Sequence, residues 1–322
     1  MNDYLNPVGA MIELTSRCNL NCSHCYNAND SRPIRDISDC DWVEVIRNLC
    51  MKGIGAITFS GGEPFIRREL LLKLIMIVAE YPNTRIYINT NGTNVPESFL
   101  NELMPILNRV VFQVSVDSAF PEQHDKVRRI KGAWEKSIHT CKLINNMGFD
   151  LRIAHTVNRI NVNSVEQMIA LCIYLGASLL GIGAAVPLGR GKQDADHIIL
   201  PIEERQKLHN EIEKFAIQYK GYIDIRETSE GGPDYYKDYL NYHQDWMIIS
   251  AEGNVKLENR LPYIVGSVQK MSLDELWRRV NYYQKSECVV SEINRCIVEG
   301  DEIDSQQYVY LPYFQSSHSL IE

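Results

Sequence analysis

The sequence lacks an export signal. Its opening, "MNDYLNPVGAMIEL", has neither the basic start nor the long apolar core of one. It also lacks long hydrophobic runs. "LLLKLIMIVA" is broken by Lys73, "LLGIGAAVPLG" by glycines and a proline, and both are too short to span a bilayer. No basic stretch is long enough to hold a phosphate backbone, and the net charge is -8. These absences argue against a membrane or nucleic-acid partner and for a cytoplasmic protein. A disulfide framework is out of pattern too. Nine cysteines, an odd number, in a chain without an export signal point to metal or redox use of some of them.

What is present is an alternation of short β-like runs and amphipathic helical segments. The 322 residues suffice for one large α/β domain with an appendage, or for two domains. Strands are predicted at 8–14, 56–60, 85–90, 110–117, 150–157 and 178–186. Helices are predicted between them, the first capped by Ser38 or Asp39, and one over 132–147 stopping at Gly148. Six β-α units in series imply a parallel sheet with right-handed crossovers. The expected fold class is therefore α/β, a partial (β/α)6 barrel over 1–220, with an appended C-terminal α+β extension over 221–322. In the extension, a hairpin is predicted at Glu252-Gly253-Asn254 and a helix at "SLDELWRRV"; "ETSEGGPDYYKDYLNYH" reads as a loop, and the tail from 281 has no clear period.

In such barrels chemistry collects at the C-terminal ends of the strands. The polar and glycine-rich clusters all fall there. "CNLNCSHCY" follows the first strand, "GGEP" (61–64) the second, "NTNG" (89–92) ends the third, "SVD" (115–117) the fourth, and "PLGRG" (187–191) follows the sixth.

Cys50, Cys141 and Cys172 follow apolar residues at helical spacing and read as small core hydrophobes. Cys18, Cys22 and Cys25 are different. A closed structural zinc site takes four ligands and a disulfide two. Three thiols on one loop can hold three irons of a 4Fe–4S cluster and leave the fourth iron open. On spacing alone, a partial zinc site is the alternative.

C-x3-C-x2-C followed by an aromatic, after the first strand of a βα barrel, resembles the radical S-adenosylmethionine (SAM) superfamily. The resemblance implies an enzyme in which Cys18, Cys22 and Cys25 ligate the cluster and SAM chelates the open iron. An electron would cleave SAM to a 5′-deoxyadenosyl radical, which abstracts a hydrogen atom from the substrate. It implies that Gly61, Gly62, Glu63 and Pro64 meet the SAM amino group, with Asn91 near the methionine portion. Ser115 and Asp117 match positions for ribose hydroxyls or the amino-acid part, Arg128 for the SAM carboxylate, and Tyr26 for the adenine. For Asn91 simple turn chemistry, and for Asp117 and Arg128 an exposed charge or helix-cap salt bridge, are the alternatives. His24 is expected to be a solvent-side spacer. A reductase such as flavodoxin or ferredoxin is the implied electron donor.

"FPEQHDKVR", "GAWEKSI" and "AEGNVKLENRLPYIVGSV" resemble the branch with SPASM or twitch extensions. That branch carries auxiliary-cluster cysteines, but here Glu258 stands where the first is expected, and only Cys288 and Cys296 remain further on. The extension is expected to keep its shape without a cluster. Redox-neutral chemistry on a ribosomal peptide or small natural-product substrate then follows: epimerisation, rearrangement or radical C–C bond formation. A sugar, aminoglycoside or nucleoside is the alternative substrate, and a non-catalytic metal or redox sensor the alternative class. Cys288 and Cys296 are the candidate hydrogen donors, with packing as the alternative for each. Tyr235, Tyr236, Tyr239 and Tyr242 read as a packing loop.

Overall fold

The computed structural model describes residues 6–28, 35–228, 233–241, 245–299, 303 and 308–312. Strand and helix alternate as the sequence predicts. β1 (Gly9–Thr15) leads to α1 (Asp39–Met51), β2 (Ala56–Gly61) to α2 (Arg68–Ala79), and β3 (Arg85–Thr90) to α3 (Glu97–Leu103). β4 (Val110–Ser115) is followed by α4 (Pro121–Arg128) and α5 (Ala133–Asn146), and β5 (Asp150–Val157) by α6 (Val165–Tyr174). After β6 (Leu179–Ala184) come two single turns, α7 (Arg190–Gln193) and α8 (Ala195–Ile198), then α9 (Ile202–Gln218). Local chemistry sets the boundaries. Ser38 and Asp41 form a reciprocal capping box at the start of α1. Gly148, at φ 84°, takes the left-handed turn that ends α5.

β1 to β6 pair in sequence order, all in parallel. Ile12, Phe59, Ile88, Phe112 and Ile153 share one core cluster with Trp42, Leu74, Leu100 and Ile144 of the helices. Strand side chains alternate between faces. The residues between those apolar positions therefore point away from the helices, into the concave interior of a partial barrel. Those residues include Glu13, Ser60, Asn89 and Gln113, and the last three are only half-buried.

The parallel sheet does not stop at residue 220. β7 (Asp224–Glu227) adds a seventh parallel strand beside β6. The C-terminal region then returns to the opposite edge. α10 (Pro233–Asn241) precedes β8 (Trp246–Ile249), which pairs in parallel with β1. β9 (Asn254–Lys256) folds back on β8 as the expected hairpin, turning at Gly253 with φ 77°. β10 (Tyr263–Ser267), α11 (Leu273–Tyr283), α12 (Glu287–Glu299) and β11 (Val309–Tyr310) complete one sheet in the order β11-β10-β9-β8-β1-β2-β3-β4-β5-β6-β7. Two further expectations change. The tyrosine-rich loop contains α10, and the tail without clear period contains α12, whose Val289, Ile293 and Cys296 are buried at helical spacing. Among the described residues no helix is long and apolar enough to cross a membrane.

Candidate active site at the mouth of the barrel

The cysteine loop has little regular structure of its own, so its shape comes from neighbouring strand ends. Gly62 N–H donates to the Thr15 carbonyl at 2.7 Å, and Glu63 N–H to that of Arg17 at 2.9 Å. A Cβ on Gly62 would stand 2.1 Å from the Arg17 carbonyl oxygen, so only glycine permits this approach. From β6's end, Arg190 N–H donates to the Cys25 carbonyl and its Nε to that of Cys22, both at 3.0 Å. From α4, the Val127 carbonyl accepts from Ser23 N–H at 2.9 Å.

Cys18 is exposed, Cys22 buried and Cys25 between the two. Although the residue is exposed overall, packing around its sulfur pushes the Cys18 thiol up to about 11, and the charges of Cys22 and Cys25 add to the rise. Burial, then Cys22, also raises Cys25, against the pull of Arg190. Bound iron would displace these protons. Among the described residues no three His, Cys, Asp or Glu side chains converge as the ligands of a single ion would. A cluster asks for something else: one thiolate per iron. Three neighbouring thiols on a clamped loop fit that demand. Arg190 stands near Cys25, and Arg128 Nη1 donates to Cys22 Sγ at 3.6 Å.

Glu63 is buried, and its carboxylate serves the protein itself. It accepts from Phe65 N–H at 3.2 Å, Thr90 Oγ1 at 2.8 Å and Asn91 N–H at 2.8 Å. Burial raises its pKa, and those donors work against the rise. Pro64 starts the short 3-10 turn Pro64–Arg67. The half-buried main chain of Gly61 and Gly62, not the carboxylate, is thus the part of "GGEP" that a ligand can reach. Asn91 makes the bonds of a turn residue and also braces the cysteine loop. Its Oδ1 accepts from Thr93 N–H at 2.9 Å, and its Nδ2 ties the turn to Asn19 of the cysteine loop at 2.8 Å.

Asp117 is fully buried and pairs with Arg128 Nε at 2.7 Å and with His24 Nε2 at 2.9 Å. Burial alone would raise its pKa, but Arg128 and then His24 hold it well below the usual carboxylate range. His24 is therefore not a solvent-side spacer. It turns inward because a carboxylate without solvent needs hydrogen-bond donors. Asp117 and Arg128 are committed to each other, with Arg128 reaching on to the Cys22 sulfur. Ser115 stays half-buried at the end of β4. His124 Nδ1 accepts from Asp117 N–H at 3.1 Å, which fixes the ring neutral; burial, then Arg128, pushes its pKa down to about 4.

Tyr26 exposes 39% of its surface, but its hydroxyl is pushed up to about 12 by burial and then by Glu13. Sequence reasoning missed this neighbourhood. Lys256 Nζ, on β9, pairs with Glu13 Oε1, on β1, at 2.7 Å, both side chains buried.

Cys288 and Cys296 are not among the side chains gathered here. Both lie on α12, near Tyr263 of β10, three strands from β1. Cys296 is sealed in the core, and Cys288 is exposed beside Ser286. Glu258 accepts from Arg260 N–H and stands near Tyr235 and Tyr239, whose hydroxyls are raised by burial first and by its charge second. Tyr235 and Tyr236 pack in the core, and Tyr242 lies outside the described residues.

The sequence model of the Radical SAM superfamily matches residues 12–172, half of the chain. The sporulation killing factor maturation protein SkfB of Bacillus subtilis is 28% identical over 63% of this chain and 48% of its own length. The chain thus spans about half of that relative. An AdoMet-dependent heme synthase of Methanosarcina barkeri is 26% identical over 85% of this chain and 82% of its own. The crystal structure of Streptococcus suis SuiB bound to its precursor peptide SuiA superposes with a TM-score of 0.68 at 14% identity, covering 94% of this chain and 75% of that one. At that identity the likeness concerns the fold.

Proposed function

This chain belongs to the radical SAM superfamily, and we propose that it is an enzyme that modifies a peptide by hydrogen-atom abstraction. One observation carries the reading: a three-thiol loop is clamped against the glycine loop of the next strand, at the mouth of a polar barrel. Cys18, Cys22 and Cys25 would hold a 4Fe–4S cluster, and Gly61, Gly62, Asn91 and Ser115 would contact SAM. When bound, cluster and SAM supply a 5′-deoxyadenosyl radical after one-electron reduction by a partner such as flavodoxin or ferredoxin. The chain's own residues do the rest. Arg128 offsets thiolate charge at Cys22, Asp117 fixes Arg128, and Glu63 holds the ends of β2 and β3 together. Support for a peptide comes from SkfB, named as a maturation protein, and from the SuiA complex of SuiB. The match along most of the heme synthase favours a small-molecule substrate as the second reading.

We read residues 221–322 as a SPASM/twitch-like extension whose cluster is lost. Glu258 occupies the cysteine position and sits with tyrosines and an arginine, a set that accepts no electron. Redox-neutral chemistry follows from that reading. Anaerobic reconstitution with iron and sulfide tests it. About four irons per chain, with 5′-deoxyadenosine released on reduction with SAM, are expected. Both are lost in Cys22→Ala. About eight irons would refute the single-cluster reading, and zinc without SAM cleavage would refute the enzyme.

A further inference from the structure

One layer of the barrel interior is polar and partly without partners. In register, Glu13 lies beside Ser60, Asn89 beside Gln113, and Gln113 beside Arg152. Ser60 and Asn89 follow directly on the pair Phe59–Ile88. Lys256 closes the row against Glu13. All alternate with residues of the helix-facing core, so they point inward. Ser60, Asn89 and Gln113 are half-buried, and their side chains bond to no described residue. The ends of the row are charged and only partly engaged. Glu13 uses Oε1 for both Lys256 and Asn27, which leaves Oε2 open. Arg152 stacks on Tyr87 at 5.4 Å and reaches Asp150 at 3.4 Å.

None of the three side chains has a polar atom sealed from solvent, so in the free protein water occupies these groups and a ligand can reach them. Three adjacent ones without protein partners offer their donors and acceptors to a ligand that matches them. A hydroxyl and two carboxamides are neutral and carry both kinds. A peptide main chain offers the same pairing, one N–H and one C=O per residue. We propose that this row is the substrate site and binds the main chain of an extended peptide segment, with Glu13–Lys256 and Arg152 meeting polar groups at its ends. The inference rests on the peptide reading above. Its position suits that reading. Ser115, proposed to contact SAM, lies two residues beyond Gln113 on the same face of β4, about 7 Å away, and Asn91 follows directly on the end of β3.

The test uses the anaerobically reconstituted full chain and two probe sets: capped synthetic nonapeptides of mixed sequence, and a set of saccharides and nucleosides. Retention after ultrafiltration is read by mass spectrometry. Wild type is expected to retain peptides. Asn89→Leu/Gln113→Leu lowers that retention by about tenfold or more, a loss of roughly 1.4 kcal/mol. The carboxamide swap Asn89→Gln/Gln113→Asn keeps most of it. Gln113→Glu, which adds charge but no volume, lowers retention even if the leucine variant does not fold. Undiminished retention in Gln113→Glu and in a folded leucine variant would overturn the row and leave the peptide reading standing. Retention of saccharides or nucleosides instead, or of neither set, would overturn both.

Discussion

His24 Nε2 lies 2.9 Å from Oδ2 of Asp117, a carboxylate with no exposed surface. The two residues are 93 positions apart, one in the cysteine loop and one at the end of β4. With Arg128 on the same oxygen and on the Cys22 sulfur, the group links the loop to the barrel wall through buried hydrogen bonds and an ion pair. Removing the carboxylate leaves a buried guanidinium uncompensated. Asp117→Asn is therefore expected to destabilise the chain by about 3–5 kcal/mol, read from urea unfolding at pH 7. Asp117 has a depressed folded pKa, so its contribution is complete above the unfolded value of about 3.9. It is lost as pH falls below that value toward the folded one.

His124 and His155 act in a higher pH window. Both rings are buried, and burial pushes each down to about 4. Below pH 6.5 the unfolded chain takes up protons that the folded chain refuses until about pH 4. Stability therefore falls as pH drops through that window. Two such groups give a maximum slope of about 2.7 kcal/mol per pH unit. Denaturant midpoints between pH 4 and 7 read it. His124→Gln/His155→Gln should flatten the slope, whatever it does to stability at pH 7. An unchanged slope would mean that the rings are protonated in the fold.

The barrel was legible because its signals are local. Alternating Ile86, Ile88 and Thr90, the Asn91-Gly92 turn and the glycines of "GGEP" each report on their own few residues. The cysteine spacing is local too. What stayed hidden was pairing across the fold. Glu13 meets Lys256 over 243 positions, and nothing in "MIEL" or "NVKL" announces it. His24 was misread for the same reason. α12 was missed because its apolar stripe, Val289, Ile293 and Cys296, is narrow and set among charges. The hairpin strand β8 was legible, but its parallel pairing with β1 was not, since register depends on what lies beside an open edge.

Gly62 and Gly53 separate close approach from backbone freedom. Gly53 has φ 74° and open space where a Cβ would go, so Gly53→Ala costs only the left-handed conformation, about 1 kcal/mol. Gly62 has the Arg17 carbonyl 2.1 Å from that position. Gly62→Ala must push the cysteine loop off the end of β2, at about 1–3 kcal/mol. The expected result is loss of iron loading in Gly62→Ala and wild-type loading in Gly53→Ala, counted after reconstitution. Equal loading in the two variants would show that the loop does not depend on this contact.

The Glu13–Lys256 pair predicts a strong non-additivity. Nearly all solvent is excluded from both side chains, 6% and 3% exposed. Burial alone would lower the Lys256 pKa, yet Glu13 raises it, so the lysine stays charged. Lys256→Met strands the carboxylate, and Glu13→Leu strands the ammonium. Each single change is expected to cost about 3–5 kcal/mol. The double variant replaces the pair by apolar side chains of similar volume and removes both stranded charges. It should lie within about 1–2 kcal/mol of wild type, because replacing a buried pair is often neutral. Urea unfolding of the four chains gives the coupling directly. Additive losses would mean that the two groups are solvated separately and that β9 is held to β1 by packing alone.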